Sequence, residues 1–315
     1  TYIAMKISVI VLTYNSAKTI RQALDAVLSQ VCTHDFEIVA GDDASTDDTQ
    51  EILKEYASRH KCMHLLCSNV NRGLQANYYD CLEACRGEYI ADCAGDDYWL
   101  GTSRLQVMAD ALDAHSDAGL VYTDWMKINV RDNSATLCSP ALRHDCNKGE
   151  LLPALLAANG NPAVNLSAAM YRKSALMPAY KLRRDSLFRN KTYVCEDLQL
   201  LAAIAADTSA LYLAGPSLAY RVGHTGAITS AADKRKAVHF ALASLQLRKK
   251  LGAIYNVRNS MFRYAESRLY SYALGLAVCS KDKTLILEVM DYSKAISHIR
   301  PTTRLRLLWL KLRMA

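Results

Sequence analysis

Strand-like and helix-like segments alternate through the first hundred residues of the chain. Short apolar runs predict strands at residues 7–12, 37–40, 64–67, 88–91 and 120–123. Between the first two runs, apolar residues recur at helical spacing, as at Ile20, Leu24 and Leu28. Strands that alternate with helices form βαβ units, in which neighbouring strands run parallel. The sequence therefore predicts an α/β fold with a mostly parallel, doubly wound sheet.

Strand signals become sparse in the second half of the chain. Residues 98–111, 151–158 and 198–206 are predicted to be helical, residues 210–213 to be a strand, and the polar stretch 132–149 to be a loop or small subdomain. From residue 231 onward the pattern is helical and basic. Because 315 residues suffice for two domains, we expect a sheet domain at 1–230 and a helical region at 231–315.

Charge is distributed unevenly between these two parts. The chain has a net charge of +7, but residues 231–315 hold 17 Lys and Arg against 5 Asp and Glu. The first 230 residues hold 21 against 26 and are therefore acidic. A basic segment on an acidic body predicts a separate, anionic partner for that segment, such as lipid, nucleic acid or an acidic polymer.

The last fifteen residues, PTTRLRLLWLKLRMA, form a basic amphipathic pattern. On a helical wheel, one apolar stripe contains Leu305, Leu308, Trp309 and Leu312, and the opposite stripe contains Leu307, Leu310 and Met314, with Arg304, Arg306, Lys311 and Arg313 between them. One interpretation is that one stripe docks on the body while the other meets an anionic membrane. The alternative is a helix buried in an oligomer interface. No nucleic-acid-reading motif accompanies the pattern, so we expect no nucleic-acid partner.

The sequence contains no segment that predicts secretion. The apolar run 7–12 is far shorter than the roughly 20 residues that span a bilayer, and no cleavage signal follows it. The ten cysteines are scattered and form no paired CxxC motif, which is typical of reduced, mostly buried thiols. We therefore expect a cytoplasmic protein, either free or peripheral on the cytoplasmic face of the inner membrane.

Polar and acidic residues follow three of the predicted strands. These residues are Thr13, Tyr14 and Asn15 after the first strand, Asp42 and Asp43 after the second, and Asp96 and Asp97 after the fourth. In open parallel sheets, ligands bind beyond the carboxyl ends of the strands. The sequence therefore predicts one polar site at this edge of the sheet.

Four motifs in order, ISVIVLTYN, GDDASTDDT, NVNRGLQANY and GEYIADCAGDDYW, resemble the N-terminal half of the family 2 glycosyltransferases. The match covers residues 5–125 and continues more weakly to residue 230. The resemblance implies the GT-A fold, with residues 1–230 as the nucleotide-sugar-binding and catalytic domain. It also implies transfer of a hexose or N-acetylhexosamine, with inversion, from a UDP-linked donor to a hydroxyl of a bacterial surface glycan or a lipid-linked acceptor.

For the donor, the resemblance implies that Thr13, Tyr14, Asn15, Asp42 and Asp43 hold the base and ribose. A carboxylate accepts strong hydrogen bonds from a uracil N–H and from ribose hydroxyls, and Asp43 is the expected base contact. Asp42 has the alternative role of orienting the loop. The family segment that closes over the base corresponds to Asn71, Arg72 and Gly73, although Arg72 is alternatively an ordinary surface cation.

For the diphosphate, the resemblance implies that Asp96 binds Mn²⁺ or Mg²⁺, which stabilises the leaving group. Most relatives have a D-x-D motif at this point, but this chain has Ala94, Gly95 and Asp96, so the first acid is missing. Asp97 follows directly, and Asp92 is a candidate to replace the missing acid. The alternative is that Asp96 and Asp97 only cap the helix predicted at 98–111.

Two further motifs lie in the second half of the catalytic domain. Glu196 and Asp197 resemble the family's ED element, which implies that Asp197 is the catalytic base and that Glu196 orients it or binds the acceptor. Without the resemblance, the pair would be interpreted as a helix N-cap. The stretch YRVGH implies that Arg221 contacts phosphate and that His224 binds the metal, and a structural role is the alternative. Acceptor-side contacts are expected from Asp124, Asn161, Asn165 and Ser167.

Two other functions are compatible with the same motifs. A nucleotidyltransferase that makes sugar nucleotides also uses a doubly wound sheet and a divalent ion, but its glycine-rich N-terminal loop is missing from TYNSAK. A catalytically inactive relative that binds a glycan or a protein partner would explain the substitution at Ala94.

Overall fold

The computed structural model describes residues 5–158, 162–223 and 233–314. Two of the predicted site residues, Asn161 and His224, lie outside these ranges. Within the described residues the strands are β1 (Ile7–Thr13), β2 (Phe36–Asp42), β3 (Met63–Cys67), β4 (Tyr89–Asp92), β5 (Tyr98–Trp99), β6 (Ala118–Asn129), β7 (Ala135–Cys138), β8 (Ala169–Arg172) and β9 (Ser209–Val222). The helices are α1 (Ile20–Leu28), α2 (Thr49–Arg59), α3 (Leu74–Ala84), α4 (Arg104–Ala114), α5 (Leu151–Ala157), α6 (Lys173–Arg183), α7 (Glu196–Asp207), α8 (Lys234–Ile254), α9 (Arg263–Ser280), α10 (Lys283–Tyr292) and α11 (Pro301–Met314).

A single sheet runs through the sheet domain in the order β3-β2-β1-β4-β8-β6-β9-β5, with β7 paired to β6. The strands β1, β2, β3 and β4 are parallel, as the sequence predicts. The strand β8 runs antiparallel to both of its neighbours, β4 and β6. Since β8 reverses direction once on each side, β6 runs the same way as β1 and β4. The carboxyl ends of β1, β2, β4 and β6 therefore face one edge, and the predicted α/β class is confirmed.

The strand β1 is buried on both faces because helices cover the sheet on both sides. Ile7, Val9 and Val11 pack into one core cluster with apolar residues of α1, α2 and α4. Ile10 packs into the opposite cluster, together with α3, α5 and α7. This two-sided burial explains the continuous apolar run that identifies β1 in the sequence. It also leaves the strand ends as the places where polar residues reach solvent.

The helix predicted at 98–111 begins later, so this prediction was wrong at its start. Tyr98 and Trp99 form β5, which pairs antiparallel with β9. The Trp99 ring is buried, its Nε1 donates to the Asp92 carbonyl at 3.1 Å, and the Arg104 guanidinium lies 4.1 Å from the ring centroid. These contacts hold the segment extended until α4 starts at Arg104. Asp96 and Asp97 therefore do not cap that helix.

Two strands, β7 and β8, lie in segments that the sequence does not predict to be strands. The strand β7 lies inside the stretch predicted as a loop, and it pairs with the end of β6 at the sheet margin. The strand β8 has only four residues, AMYR, yet it occupies a central position between β4 and β6. The strand β7 forms a hairpin with the preceding strand β6, whereas β8 is defined by antiparallel pairing with the distant strands β4 and β6. Residue periodicity does not reveal such pairing.

The helix α7 has no water-facing side along most of its length. Eight consecutive residues are buried, from Leu198 through Ala205, because α5, α6 and α8 pack around the helix. A helix that is apolar all round is typical of the interior of a domain. Glu196 and Asp197 form the first turn of this buried helix.

The C-terminal helices pack on one another and also on the sheet domain. Leu245, Tyr270, Leu274 and Val289 form a separate core cluster with residues of α11. On another side of α8, Leu247 and other residues join the core cluster that contains α5 and α7. The predicted boundary near residue 230 falls among residues 224–232, which are not described, and the division into two domains stays a prediction.

All ten cysteines lie in the described residues, and none is paired in a disulfide. Five of them are buried, three are partly buried, and Cys67 and Cys279 are exposed.

Candidate functional site

The loop after β2 is organised by Asp42, whose side chain is completely buried. Its carboxylate accepts hydrogen bonds from Thr13 Oγ1 at 2.8 Å, from the Ser45 amide at 2.9 Å and from Gln50 Nε2 at 2.7 Å. The Ser45 hydroxyl donates to the same carboxylate. These bonds tie the ends of β1 and β2 to the start of α2. The geometry fits the loop-orienting role that the sequence left open for Asp42.

Asp43 connects the edge of the sheet to the segment at residues 71–73. Its Oδ1 accepts from the Arg72 amide at 2.8 Å, and its Oδ2 accepts from the Gly73 amide at 2.7 Å. Gly73 has a φ of +90°, a conformation that glycine adopts without strain. The structure thus brings together two segments that the sequence predicts to share the nucleotide site.

The side chain of Arg72 takes part in an ion pair on the surface. Its Nη2 contacts the Asp80 carboxylate and donates to Ser68 Oγ at 3.0 Å. Asp80 also accepts from Arg189 Nη1 at 2.8 Å. The contribution of Arg72 to the Asp43 loop is therefore made by its main chain.

The residues after β1 shape the neighbouring part of the edge. Thr13 is buried, and its main-chain oxygen accepts from the Asp43 amide at 3.1 Å. Asn15 has a φ of +53°, and its Oδ1 accepts from the Thr46 amide at 2.8 Å. Tyr14 lies between them and is 50% exposed, so its ring is accessible at this edge.

The loop after β4 lies directly against the end of β1. The Gly95 amide donates to the Leu12 carbonyl at 2.9 Å. A Cβ atom at Gly95 would lie 2.8 Å from Thr13 Cγ2 and 2.9 Å from the Leu12 carbonyl oxygen, so a side chain there would push the loop away. The absence of a side chain at position 95 therefore holds Asp96 next to Thr13.

Arg221, near the end of β9, fixes the acidic pair of this loop. Asp97 is buried, and its Oδ1 accepts from the Arg221 amide at 2.8 Å. Arg221 Nη1 donates to the Asp96 main-chain oxygen at 2.7 Å, and its guanidinium lies 4.6 Å from the Tyr98 ring centroid. Burial and the neighbouring charge of Asp96 raise the pKa of Asp97. Arg221 is therefore placed beside the predicted diphosphate site, where it holds the loop.

Asp92 places a third carboxyl group below this loop. Its side chain is buried, and Oδ2 has no hydrogen-bond partner among the described residues. Burial raises the pKa of Asp92 to about 7, although the Tyr78 hydroxyl and the Arg104 guanidinium act in the opposite direction. The residue suggested as a replacement for the missing acid therefore lies in the interior.

Glu196 and Asp197 begin α7 after a residue with unusual backbone geometry. Cys195 has a φ of +62°, in the left-handed region that non-glycine residues rarely adopt. Asp197 Oδ1 accepts from the Leu198 amide at 2.7 Å. Burial raises the pKa of both carboxyl groups, and the charges of Asp197 and Asp92 add to the effect on Glu196. Strained backbone and perturbed carboxyls occur together at many functional sites.

Tyr220 connects the two acidic groups of the site, and the sequence analysis did not assign it a role. Burial raises the pKa of its hydroxyl to about 12, and the charges of Asp97, Asp96 and Asp197 act in the same direction. The Tyr220 hydroxyl is therefore near enough to both the Asp96 loop and the start of α7 to be affected by their charges. The YRVGH stretch contained Tyr220, but only the resemblance could have pointed to it.

The donor atoms at this edge suit a hard divalent cation. Mn²⁺ and Mg²⁺ prefer carboxylate oxygens, which Asp96 and Asp97 supply. Burial, together with the charge of Asp96, raises the pKa of Asp97, so the charged form of this carboxyl group is disfavoured in the protein alone. A bound cation would stabilise the charged form, so the residues fit the predicted metal.

Two suggested acceptor-side residues have structural partners in the fold. Asp124 accepts from the Tyr212 hydroxyl at 2.9 Å and from the Gly215 amide at 3.0 Å, where the pairing of β6 with β9 shifts register. Asn165 Oδ1 accepts from the Ser167 amide at 3.0 Å and caps a short 3₁₀ turn. Asp124 Oδ1 is buried and has no hydrogen-bond partner among the described residues, and the acceptor-side role of both residues stays a prediction.

A different group of possible metal ligands lies near the start of β9. Among the described residues, His144, Cys146 and Glu150 bring one ligand atom each to within 4.8 Å of one another. The loop that carries them pairs with Ala210 through Cys146. This end of β9 is opposite the one that carries Tyr220 and Arg221, so the group is separate from the candidate site.

Comparison with known proteins assigns the fold. The chain is similar to the crystal structure of S. aureus TarS 1–349 in complex with UDP-GlcNAc, with a TM-score of 0.57 and 17% identity, over 94% of this chain and 93% of that one. It is also similar to the mannosyltransferase PcManGT from Pyrobaculum calidifontis in complex with GDP-Man and Mn²⁺, with a TM-score of 0.55 and 19% identity, over 98% and 81%. The predicted GT-A fold with a helical C-terminal region is confirmed.

Sequence comparison assigns the family. An uncharacterized protein of Mycobacterium tuberculosis is 33% identical over 176 residues, which are 55% of this chain and 48% of that protein. The match thus spans about half the length of this curated relative. Residues 8–178, more than half of the chain, match the family model for glycosyl transferase family 2. The chain belongs to glycosyltransferase family 2.

Proposed function

We propose that the chain transfers a sugar from a nucleotide donor, UDP-linked, to a hydroxyl of a glycan or lipid-linked acceptor, with inversion and with the help of a divalent cation. The observation that carries this proposal is the convergence of three acidic elements at one sheet edge. Asp43 lies after β2, Asp96 and Asp97 lie after β4, and the charges of both the Asp96 loop and the first turn of α7 act on Tyr220. A base, a cation site and a nucleotide site are the parts that such a transfer requires.

Asp43 is the expected contact to the base. Its carboxylate already holds the main chain at residues 72 and 73, so its position is fixed before the donor binds. Its remaining lone pairs can accept a uracil N–H, whereas Asp42 is occupied by protein donors. We therefore assign Asp43 to recognition of the nucleotide and Asp42 to the shape of its loop. The exposed ring of Tyr14 is available for stacking on the base.

Asp96 is the expected cation ligand, with His224 as a second candidate. When bound, the cation would stabilise the negative charge that builds up on the departing diphosphate. Arg221 fixes the main chain at Asp96 and the side chain of Asp97, so it sets the position of the ligand. This assignment gives Arg221 a role beside the diphosphate that does not require a direct phosphate contact.

Asp197 is the expected general base. It would remove the proton of the acceptor hydroxyl as that oxygen attacks the anomeric carbon and the bond to the diphosphate oxygen breaks. The bonding electrons leave with the nucleoside diphosphate, and a single displacement of this kind inverts the anomeric centre. Glu196, whose pKa burial raises, is suited to hold the acceptor by donating or accepting a hydrogen bond.

A panel of nucleotide sugars tests the proposed reaction on the full chain. We expect one donor to be hydrolysed or transferred in the presence of Mn²⁺, and this activity to disappear on addition of EDTA. The same donor is expected to raise the thermal unfolding temperature, since a ligand that binds only the folded state stabilises it. A protein that binds a donor but never turns it over would instead be the inactive relative considered above. Release of pyrophosphate from a nucleoside triphosphate and a sugar phosphate would identify a nucleotidyltransferase.

The helix α11 supports an additional proposal, that the enzyme docks on an anionic membrane on the cytoplasmic face. Leu307 and Leu310 are buried against the other C-terminal helices. On the opposite side of the helix, Leu305 is 67% exposed, Leu308 58% and Leu312 82%. None of the described helices is long and apolar enough to cross a bilayer. An exposed apolar stripe on such a helix is suited to lie in the membrane interface.

The charges beside the stripe favour an anionic lipid surface. Arg304 and Lys311 project on one side of the exposed leucines and Arg306 on the other, and all three are exposed. Each Lys or Arg near an anionic membrane contributes about 1 kcal/mol of attraction. Docking there would bring the chain to the surface that carries lipid-linked acceptors.

Flotation with liposomes tests the docking of α11. We expect the full chain to float with vesicles that contain phosphatidylglycerol and to stay at the bottom with phosphatidylcholine alone. The combined variant L305S, L308S and L312S should lose flotation, because these side chains are exposed and contribute little to the core. The matched control V31S and L182S changes two residues that are each 72% exposed elsewhere, and it should float normally. A change of oligomeric state in the α11 variant, with flotation retained, would favour the oligomer interface instead.

A further inference from the structure

The loop before α5 carries three metal-ligating side chains that the proposed sugar transfer does not use. His144, Cys146 and Glu150 each bring one ligand atom to within 4.8 Å of the other two. They supply an imidazole, a thiol and a carboxylate, a combination of ligands that is typical of zinc sites. In the sequence they form the stretch HDCNKGE, which lacks the paired cysteines of common structural zinc motifs. Only the folded loop therefore reveals them as a group, which we call the 144–150 cluster.

Cys146 is fixed on the sheet by its main chain. Its amide donates to the Ala210 carbonyl at 2.7 Å, and the Ala210 amide donates to its carbonyl at 2.9 Å. The side chain is buried, and its Sγ lies 3.5 Å from the Tyr122 hydroxyl. The same hydroxyl donates to the His144 carbonyl at 3.2 Å. Contacts with β6 and β9 thus set the position of the thiol before any metal binds.

Glu150 is held by the turn in which it lies. Its Oε2 accepts from the Asn147 amide at 2.9 Å, and its own amide donates to the Asn147 carbonyl at 3.0 Å. The other carboxylate oxygen, Oε1, lies 3.2 Å from His144 Nε2. The side chain of His144 is 57% exposed, so its ring can rotate without disturbing the core. Two ligands of the cluster are therefore preorganised, and the third is able to adjust.

The distances in the cluster suit a tetrahedral zinc ion. Ligand atoms that bind Zn²⁺ at about 2.0–2.3 Å lie roughly 3.5 Å from one another in a tetrahedral site. The separation of Glu150 Oε1 and His144 Nε2 is already close to this value. A small rotation of the exposed imidazole would close the remaining distance to the thiol. The thiolate and the imidazole favour Zn²⁺ over Mg²⁺ and Mn²⁺, which prefer oxygen ligands.

The positively charged side chains of the same loop contact other groups. Arg143 Nε donates to the Tyr212 hydroxyl at 3.0 Å, and its Nη2 lies 3.6 Å from the Asp124 carboxylate. Lys148 Nζ lies 3.3 Å from the Asp207 carboxylate. Neither cation pairs with the carboxylate of the cluster, so neither competes there with a metal ion. A thiolate and a carboxylate together would neutralise the two charges of Zn²⁺.

We propose that His144, Cys146 and Glu150 bind one Zn²⁺ ion, in addition to the cation proposed for the Asp96 loop. The three side chains would be three ligands, and water would fill the fourth position. Binding releases the thiol proton to solvent, because only the thiolate binds the metal. The ion would connect β9 to the turn before α5 and hold residues 144–150 against the sheet. Its role is structural and does not depend on the proposed sugar transfer.

Titration with Co²⁺ tests this site on the full chain, purified without metal and kept reduced. Co²⁺ occupies zinc sites, and its absorption spectrum reports its ligands. We expect an equimolar amount of Co²⁺ to produce a thiolate-to-cobalt charge-transfer band and the intense d–d bands of a four-coordinate ion. An equimolar amount of Zn²⁺ should remove these bands, whereas an excess of Mg²⁺ should not. Zn²⁺ should also raise the thermal unfolding temperature, since it binds the folded state.

Substitution of each ligand assigns the bands to the cluster. We expect H144A, C146S and E150Q each to lower the affinity for Zn²⁺ by about 100-fold or more, at least the effect that loss of an outer-shell partner has. E150Q retains an oxygen that can accept from the Asn147 amide, and H144A changes an exposed side chain. These two variants therefore test the site even if C146S, at a buried position, fails to fold.

The matched controls C67S and C279S change two exposed cysteines and should retain the charge-transfer band. D96A should retain it as well, because it leaves the cluster unchanged. Absence of the band in the full chain would overturn the proposal, as would a band that persists undiminished in C146S or H144A or that disappears in C67S. Since the spectrum is recorded without a sugar donor, failure of the proposed sugar transfer would not alter this result.

Discussion

Asp197→Asn is expected to lower the rate of sugar transfer by about 10²–10⁴-fold, the contribution that a positioned general base typically makes. The amide has nearly the same shape as the carboxylate but does not accept the proton of the acceptor hydroxyl. Its oxygen can still accept from the Leu198 amide, so the first turn of α7 should keep its structure. Donor affinity should remain, because the proposed nucleotide contacts lie on other loops. Steady-state kinetics of transfer and calorimetry of donor binding measure the two effects separately.

A carboxylate at the other end of α7 provides the matched control. Asp207 is the last residue of the helix, and its side chain is 70% exposed. D207N should leave the rate of transfer unchanged within about 2-fold, as is typical for an exposed group outside the site. Full activity of D197N would exclude Asp197 as the base. An equal loss of donor affinity and rate in D197N would show that the residue acts through binding rather than through proton removal.

Asp96→Ala is expected to reduce donor affinity by about 100-fold in the presence of Mn²⁺, since metal stabilisation of a diphosphate is worth several kcal/mol. The variant should also lose the difference between Mn²⁺ and EDTA that the unmodified chain shows. The main-chain oxygen that Arg221 contacts is retained in the variant, so the loop keeps that anchor. Calorimetric titration with the donor nucleotide, with and without Mn²⁺, measures both quantities.

Adding a carboxylate to the same loop, at position 94, tests the metal site in the opposite sense to D96A. Ala94 is only partly buried, and Asp there would restore the D-x-D spacing of most relatives. If the missing acid limits metal binding, A94D should bind Mn²⁺ more tightly than the unmodified chain. Donor binding by D96A that is as tight as that of the unmodified chain, and independent of Mn²⁺, would contradict the metal assignment at position 96.

The sequence predicts the central strands correctly because strands that are buried on both faces consist almost entirely of apolar residues. The runs at the β1, β2 and β4 positions are apolar on both faces, and their ends carry the polar residues that form the site. The strands that escaped prediction, β5, β7 and β8, are two to four residues long. The strands β5 and β8 pair antiparallel with distant segments, and β7 forms a hairpin with the neighbouring β6. Local periodicity contains no information about such pairing. The start of α4 was misplaced for the same reason, since Trp99 is held by contacts to Asp92 and Arg104.

The sequence predicts which acidic residues lie at the candidate site, but it does not predict the different contacts that each of them makes. Asp42 and Asp43 are adjacent in the sequence, yet only the structure shows that Asp42 anchors its own loop while Asp43 holds the main chain at Arg72. Arg221 was predicted as a phosphate contact, and its role in holding Asp96 and Asp97 depends on a long-range approach of β9 to the loop.

The enclosure of α7 on all sides limits how this enzyme can vary through evolution. A helix with a solvent-exposed face tolerates substitutions on that face. In α7, however, every residue from Leu198 to Ala205 is buried against other parts of the protein. A larger side chain at Ala202 or Ala203 would not fit the packed core and would displace the helix α7. The displacement would reach the first turn of the helix, where the two carboxylates lie. Relatives with a different acceptor are therefore expected to differ in the loops around α7. The length of this helix and its small side chains are expected to stay the same.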